Sequence, residues 1–349
     1  MTNATTAPVQ PLGTAIREIS SFDEATRREM VASAQPAVLR GLVGDWPAVA
    51  AGRRSGAATV EYLRRFDKGN PVPAIMIPPE VEGRVFYDAD MSGFNFLRNR
   101  LAISAVAEQA LRYSGFARAP AVAAQSALVS DCLPGFTAEN RLGILDGTVE
   151  PRIWLGTAIT TPTHCDEWNN IGCVVSGRRR FTLFPPEQVV NLYIGPLDFA
   201  PTGAPVSLVR LDEPDFARFP RFRQALASAM TAVLEPGDAI FIPPLWYHNV
   251  DSLERFNLMV NYWWNPAPDV TPVTDSAFDA LVHAVLNLRH LPEPTRKAWQ
   301  ALFEHFVFGE PGSAVGHIPP HRHGVLGKVQ GEALARWRIY LMEKLRQGR

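Results

Sequence analysis

From residue 151 to about 264 the chain alternates short apolar runs with turn residues. The runs are Cys173-Val-Val-Ser-Gly, Phe181-Thr-Leu-Phe, Val206-Ser-Leu-Val, Ala232-Val-Leu, Ala239-Ile-Phe-Ile and Leu258-Met-Val-Asn-Tyr-Trp-Trp. All are rich in β-branched or aromatic residues, the composition of strands. Proline pairs at 185–186 and 243–244 fit strand ends, where a missing N–H does no harm. Many short strands joined by tight turns predict antiparallel sheets facing each other in a jelly-roll arrangement.

Upstream the pattern is mixed. Residues 1 to about 20 read as a loose arm, and Ser21-Phe-Asp-Glu as a capped helix start. Pro36-Ala-Val-Leu-Arg-Gly-Leu-Val reads as a strand closed by Gly44-Asp-Trp-Pro47. Helices are expected over 57–66 and 103–112, strands over 121–129 and 152–160, and an aromatic-rich strand and turn over 85–96. Beyond Pro268 the period changes. Apolar residues at 278, 281, 282, 285, 286 and 288 recur at helical spacing, and 299–306 and 332–345 read the same way. The expected organisation is an arm over 1–30, a mainly β domain over 31–265 and a helical region over 266–349. The apolar stripe of Trp337, Tyr340 and Leu341 suggests that this last region joins two copies into a homodimer.

Composition narrows the class. A net charge of -1 without a Lys/Arg run disfavours nucleic acid as an electrostatically steered partner. Cys132, Cys165 and Cys173 form no paired spacing, which suits reduced thiols and a cytoplasmic setting. No apolar run has membrane-spanning length, and residues 1–8 lack the features of a signal peptide.

The candidate chemistry lies in Thr161-Pro-Thr-His-Cys-Asp-Glu-Trp-Asn-Asn170 and in Leu234-Glu-Pro-Gly-Asp-Ala-Ile-Phe-Ile-Pro-Pro-Leu-Trp-Tyr-His248. His164 and Asp166, two apart, would share one face of a strand. His248 would complete two imidazoles and a carboxylate around one ion, the facial triad of non-haem Fe(II) oxygenases. Zn(II) would accept the same donors. The other histidines lie in the helical tail and a Pro-rich loop and have no such setting.

These segments, with Gly177-Arg-Arg-Arg-Phe-Thr-Leu-Phe-Pro-Pro-Glu-Gln188 and the entry Pro36 to Pro47, resemble the JmjC/cupin-like Fe(II)/2-oxoglutarate-dependent dioxygenases of the hypoxia-inducible-factor asparaginyl hydroxylase type. The resemblance spans about 30–265. It implies a double-stranded β-helix holding Fe(II), with 2-oxoglutarate as co-substrate and O2 as oxidant. It also implies hydroxylation of an amino-acid side chain in a protein or peptide. A small-molecule substrate, or a metal-holding cupin without turnover, is the alternative. Carried across, His164, Asp166 and His248 would be the ligands, and Thr161 would serve the distal carboxylate of 2-oxoglutarate. Asn170 and Asn261 would sit near its proximal end. Tyr87 resembles the aromatics of the hydroxylase's substrate groove, though it could equally be a core aromatic. Glu167 and Trp168, beside the ligand Asp166, are candidates to meet substrate, with a solvent-facing acid and a packing indole as the alternatives.

Two departures stand out. Arg179 occupies the place of the family's Lys, and an arginine is a planar fork rather than a point charge. Small residues at 121–124 stand where the hydroxylase has a Tyr, which would leave room for the longer side chain. Arg178 and Arg180, alternating with Arg179, are expected to face solvent.

Overall fold

The computed structural model describes residues 13–266, 277–310 and 312–346, so residues 1–12 of the expected arm lie outside the described residues. The described chain opens with two short strands, β1 (Thr14–Ala15) and β2 (Glu18–Ile19), then helix α1 (Glu24–Ser33) and strand β3 (Ala37–Leu39). Helices α2 (Pro47–Arg54) and α3 (Gly56–Arg64) precede β4 (Pro71–Ile77), β5 (Leu97–Ala102), α4 (Ile103–Ser114) and β6 (Ala121–Leu128). After the short helices α5 (Val129–Cys132) and α6 (Phe136–Glu139) come β7 (Pro151–Gly156), β8 (Thr160–His164), β9 (Asn169–Ser176) and β10 (Arg179–Phe184). Helix α7 (Phe222–Ala227) stands before β11 (Met230–Leu234), β12 (Ala239–Ile242), β13 (Tyr247–Ser252) and β14 (Asn257–Trp264).

The strands form two sheets. One has the order β1-β11-β10-β13-β8, the other β2-β3-β12-β9-β14-β7-β6-β4-β5. The chain passes from one to the other between β8 and β9 and again between β12 and β13, the winding of a double-stranded β-helix. The pairings are antiparallel apart from β1–β11 and β2–β3 at the edges. Neither sheet closes on itself into a barrel.

Burial follows from this layering. Phe181, Leu183 and Val250 of the smaller sheet pack against Val174, Ile240 and Met259 of the larger. The outer face of the larger sheet carries Cys173, Val175, Leu258 and Val260 against Val49, Leu63 and Val106 of the helices. A strand covered on both faces reads as a continuous apolar run rather than an alternating one. That is why β9 is buried at every position.

Local chemistry sets several boundaries. Asp23, rather than Ser21, caps α1, its carboxylate accepting from the Thr26 N–H at 2.8 Å. Gly44-Asp-Trp-Pro47 does not merely close a strand. Pro47 takes the first position of α2, where its fixed φ suits the helix and its missing N–H costs nothing. The turn at Pro236-Gly237 needs glycine, with φ at +106°. It is pinned by Asp238, whose carboxylate accepts from the Gly41 and Glu235 N–H groups and pairs with Arg40 at 2.7 Å.

Several expectations need correction. Residues 14–15 and 18–19 of the arm are edge strands. Residues 206–209 are not a strand and make one isolated bridge, between Ile194 and Ser207. The 85–96 segment is likewise held by isolated bridges, such as Tyr87 to Phe94, and by aromatic packing. Strands β4, β5 and β13 and helix α2 had not been anticipated from the pattern.

The chain divides into two units, Met1–Pro266 and Ala267–Arg349. The second contains α8 (Ala277–Leu288), α9 (Glu293–Phe306) and α10 (Gly331–Arg346), in line with the expected helical region. None of these three helices contains a buried residue. Among the described residues no helix is long and apolar enough to cross a membrane.

Candidate metal centre and its cavity

Strands β8 and β13 are neighbours, and their register sets His164 opposite His248. The two rings meet with centroids 4.3 Å apart. Beyond His164 the strand ends, and Asp166 lies in the turn that crosses to the facing sheet. This corrects the expectation that the pair leaves one face of one strand. The turn reaches the same point because it is tied to the second crossing, the Leu245 N–H donating to the Asp166 carbonyl at 2.7 Å. One ligand atom from each of His164, Asp166 and His248 falls within 4.8 Å of the others.

The imidazoles are oriented as candidate ligands. His164 Nδ1 lies 2.8 Å from the Pro162 carbonyl and His248 Nδ1 lies 3.0 Å from that of Trp246. A carbonyl only accepts, so each Nδ1 carries the proton and each Nε2 presents its lone pair. Burial, reinforced by the His164 ring, holds the pKa of His248 well below the ordinary histidine value. A neutral imidazole is the form that binds a metal. The short His248 Nε2 to Asp166 Oδ2 distance of 3.6 Å is therefore two ligand atoms converging rather than an ion pair. Cys165 packs with the cluster around Phe184 and Tyr247, so no thiolate joins the donors.

Behind the carboxylate runs a chain of neutral donors. Asp166 Oδ2 accepts from Trp263 Nε1 at 3.2 Å and from Asn170 Nδ2 at 3.4 Å. Asn170 Oδ1 accepts from Asn261 Nδ2 at 3.1 Å, and Asn261 Oδ1 from Trp154 Nε1 at 2.8 Å. Each amide is thereby held in one orientation. Sequence reasoning found the two asparagines but not the two tryptophans, which lie on the same face of β14 and β7. Replacing Asn261 by leucine is expected to strand Asn170 Oδ1 and Trp154 Nε1, at about 1–3 kcal/mol for each buried orphan. Metal affinity should fall about 10–100-fold, as when the partners of a ligand are removed. Urea unfolding and a metal titration would measure the two effects separately.

A cavity of about 400 Å³ opens between the sheets at this point. His164, Asp166 and His248 line it, together with Thr161, Asn170, Arg179 and Asn261. Glu167 and Trp168 are half-buried in the crossing turn and do not line it. Tyr87 does not line it either. Its ring is buried against Phe94 and Phe199, and its hydroxyl donates to the Phe199 carbonyl at 2.6 Å. The residues just after Phe199, from Ala200 to Ala204, form one wall, so Tyr87 supports the cavity from behind.

Arg179 is 5% exposed, and no ion pair to it exists among the described residues. Nη2 donates weakly to the Trp154 carbonyl at 3.4 Å, and Nε has no partner. Burial lowers its pKa to about 10, which leaves it charged at neutral pH. Its neighbours differ from the solvent-facing expectation. Arg180 pairs with Asp251 through Nε and Nη2 at 2.8 and 2.6 Å, and Arg178 with Glu254 at 2.7 Å. The inward arginine is the one without an acid. Residues 121–124 are buried and do not line the cavity, so the room for Arg179 is not the one expected from their small size.

A double-stranded β-helix with two imidazoles and a carboxylate brought together at its sheet crossings defines the class of cupin-like proteins. The cupin-like domain family matches residues 23–270, and the chain belongs to this JmjC-type family. Among its relatives, human HSPB1-associated protein 1 is 32% identical over 152 residues, 43% of this chain and 30% of that protein. Lysine-specific demethylase JMJ31 of Arabidopsis thaliana is 37% identical over 112 residues, 32% of this chain and 20% of that protein. The tRNA wybutosine-synthesizing protein 5 of Danio rerio is 36% identical over 106 residues, 30% of this chain and 29% of that protein. The chain thus spans less than a third of the length of each of these relatives.

Proposed function

We propose that the chain is an Fe(II)- and 2-oxoglutarate-dependent dioxygenase that hydroxylates an amino-acid side chain in a protein or peptide. The observation that carries this reading is Arg179, a buried cation without an acidic partner among the described residues, in the same cavity as the His164–Asp166–His248 cluster. A buried charge needs a counter-charge, and a dicarboxylic co-substrate supplies one. The donors fit a borderline divalent ion, being two imidazole Nε2 atoms and a carboxylate with no thiolate.

In this reading His164, Asp166 and His248 hold the iron on one face. Arg179, with the Thr161 hydroxyl, takes the distal carboxylate of 2-oxoglutarate, and the fork of the guanidinium sets its direction. Asn170 and Asn261 stand near the proximal end while holding Asp166 in place. Bound together, Fe(II) and 2-oxoglutarate supply the oxidising chemistry, O2 and a C–H bond giving an alcohol, succinate and CO2. The protein orients the reactants and, with Trp154 and Trp263, keeps water from the site. Glu167 and Trp168 approach the substrate from the crossing turn, and Tyr87 acts on it through the wall it supports.

Incubation with Fe(II), 2-oxoglutarate and O2 is expected to give Fe(II)-dependent succinate even without substrate, at a slow rate. Full metal loading with no succinate and no displacement of 2-oxoglutarate by N-oxalylglycine would sink the reading. We also propose that α8–α10 join two copies, since they expose Trp299, Leu302, Phe306, Trp337, Tyr340 and Leu341. Sedimentation velocity should then show a species of twice the chain mass. A monomer at every concentration would refute it.

A further inference from the structure

The oxygenase reading leaves one end of the cavity unused. Arg179 is buried at the closed end, whereas Arg98 and Asn99 of β5 line the cavity from exposed positions at its mouth. Arg98 is held in place by aromatic rings. Its guanidinium carbon lies 5.2 Å from the centroid of Phe94 and 5.6 Å from that of Phe96, and these two rings stack on each other. A guanidinium over ring faces keeps its edge free for hydrogen bonding, so its donors are pre-organised for a planar anion. No carboxylate pairs with Arg98 among the described residues.

A second cation stands close behind the same wall. Arg152 donates from Nη1 to the Ser126 carbonyl at 2.9 Å and lies over the ring of Trp263, and both of those residues line the cavity. No acid pairs with it either among the described residues. The charged groups facing the space are then Arg98, Arg179 and Asp166, and Asp166 is committed to the metal cluster. Among the described residues, the mouth is left with positive charge that no acid compensates.

The backbone at the mouth is also available, apart from the Arg100 N–H, which donates to Asn99 Oδ1 at 2.7 Å. Strand β5 ends the larger sheet, and among the described residues it pairs with β4 alone. An unpaired edge offers a row of N–H and C=O groups to an added extended segment, with alternate side chains setting the choice. Leu97, Arg98, Asn99 and Arg100 are all exposed along it.

We propose that the mouth selects an extended peptide bearing an acidic side chain near the oxidised residue, laid along β5 with its carboxylate on Arg98. This rests on the oxygenase reading and names the substrate class within it. A single-stranded nucleic acid fits less well. It needs several cations tracking a phosphate chain, with aromatic platforms beside them, whereas the chain has a net charge of -1 and the outer two of its Arg178-Arg179-Arg180 run are paired with Glu254 and Asp251.

The test is fluorescence polarisation with the full chain, with and without Mn(II) and 2-oxoglutarate. The probes are labelled Ala/Ser/Gly peptides, identical except for a central Asp-Asp, Ser-Ser or Lys-Lys, and a labelled oligouridine. The Asp-Asp peptide is expected to bind at least about tenfold more tightly than the Lys-Lys peptide, a preference that weakens with salt. Arg98→Glu should reverse the order and Arg98→Lys should keep part of it, each with unaltered thermal unfolding. No acid preference, a preference untouched by Arg98→Glu, or tighter binding of oligouridine would each overturn the proposal. Acid preference without any succinate formation would support the mouth assignment while removing the oxygenase reading. Succinate formation without acid preference would do the reverse.

Discussion

Arg179→Leu is expected to abolish 2-oxoglutarate binding and, at the same time, to leave the ligand-free protein as stable as before or more so. The two effects have one cause. In the folded chain Arg179 is 5% exposed with no acid beside it among the described residues, so its charge is desolvated without return. Leucine removes that cost and fills part of the volume, as apolar replacements of buried ionic groups often do. With co-substrate present the sign inverts. The carboxylate then loses its buried partner, a loss of about 3–5 kcal/mol, or about 10²–10⁴-fold in affinity. The checks are a calorimetric titration with 2-oxoglutarate and two melting curves, with and without it. Arg179→Lys separates charge from shape. It keeps the cation but not the fork, and an intermediate loss is expected. If Arg179→Leu binds 2-oxoglutarate as the wild type does, the distal carboxylate is held elsewhere and the assignment fails.

The same arginine shows how far the sequence could be read. That it faces inward followed from alternation along β10, a property of two residues and a strand period. That it has no acid partner among the described residues did not, because the partners of Arg178 and Arg180 are Glu254 and Asp251, on or beside β13 and 76 and 71 residues further along the chain. The metal cluster was legible for a related reason. His164 and His248 needed only that β8 and β13 be neighbours, which two facing sheets of antiparallel strands allow. Asp166 was found for a slightly wrong reason, since its position depends on a sheet-crossing turn rather than on strand periodicity. Trp154 and Trp263 were missed because each sits among other aromatic and apolar residues. What marks them is an indole N–H aimed at one buried amide or carboxylate, and only the fold reveals that. Tyr87 shows the converse. Its aromatic neighbourhood was visible, but its hydrogen bond to Phe199, more than a hundred residues away, places it behind the cavity wall rather than in it.

Asp166→Ala should remove stoichiometric metal, an effect larger than that of any change behind the ligands. Alanine leaves His164 and His248 as the remaining donors among the described residues and also deletes the acceptor for Trp263 Nε1 and Asn170 Nδ2. Changes among the partners of a ligand cost about 10–100-fold in affinity, and losing the sole anionic donor should exceed that. The reading is thermal. A ligand that binds only the folded chain stabilises it by about 2.7 kcal/mol at a hundred times its Kd. Mn(II) should therefore raise the melting temperature of the wild type by several degrees, EDTA should reverse the shift, and Asp166→Ala should show none. Cys165→Ser is the matched control. It lies between the two ligands in sequence, yet its side chain packs with the cluster around Phe184 and Tyr247, so the Mn(II) shift should survive the change. Were Cys165→Ser to abolish the shift and Asp166→Ala to retain it, the ion would be held by a thiolate, and a different donor set would have to be drawn for this chain.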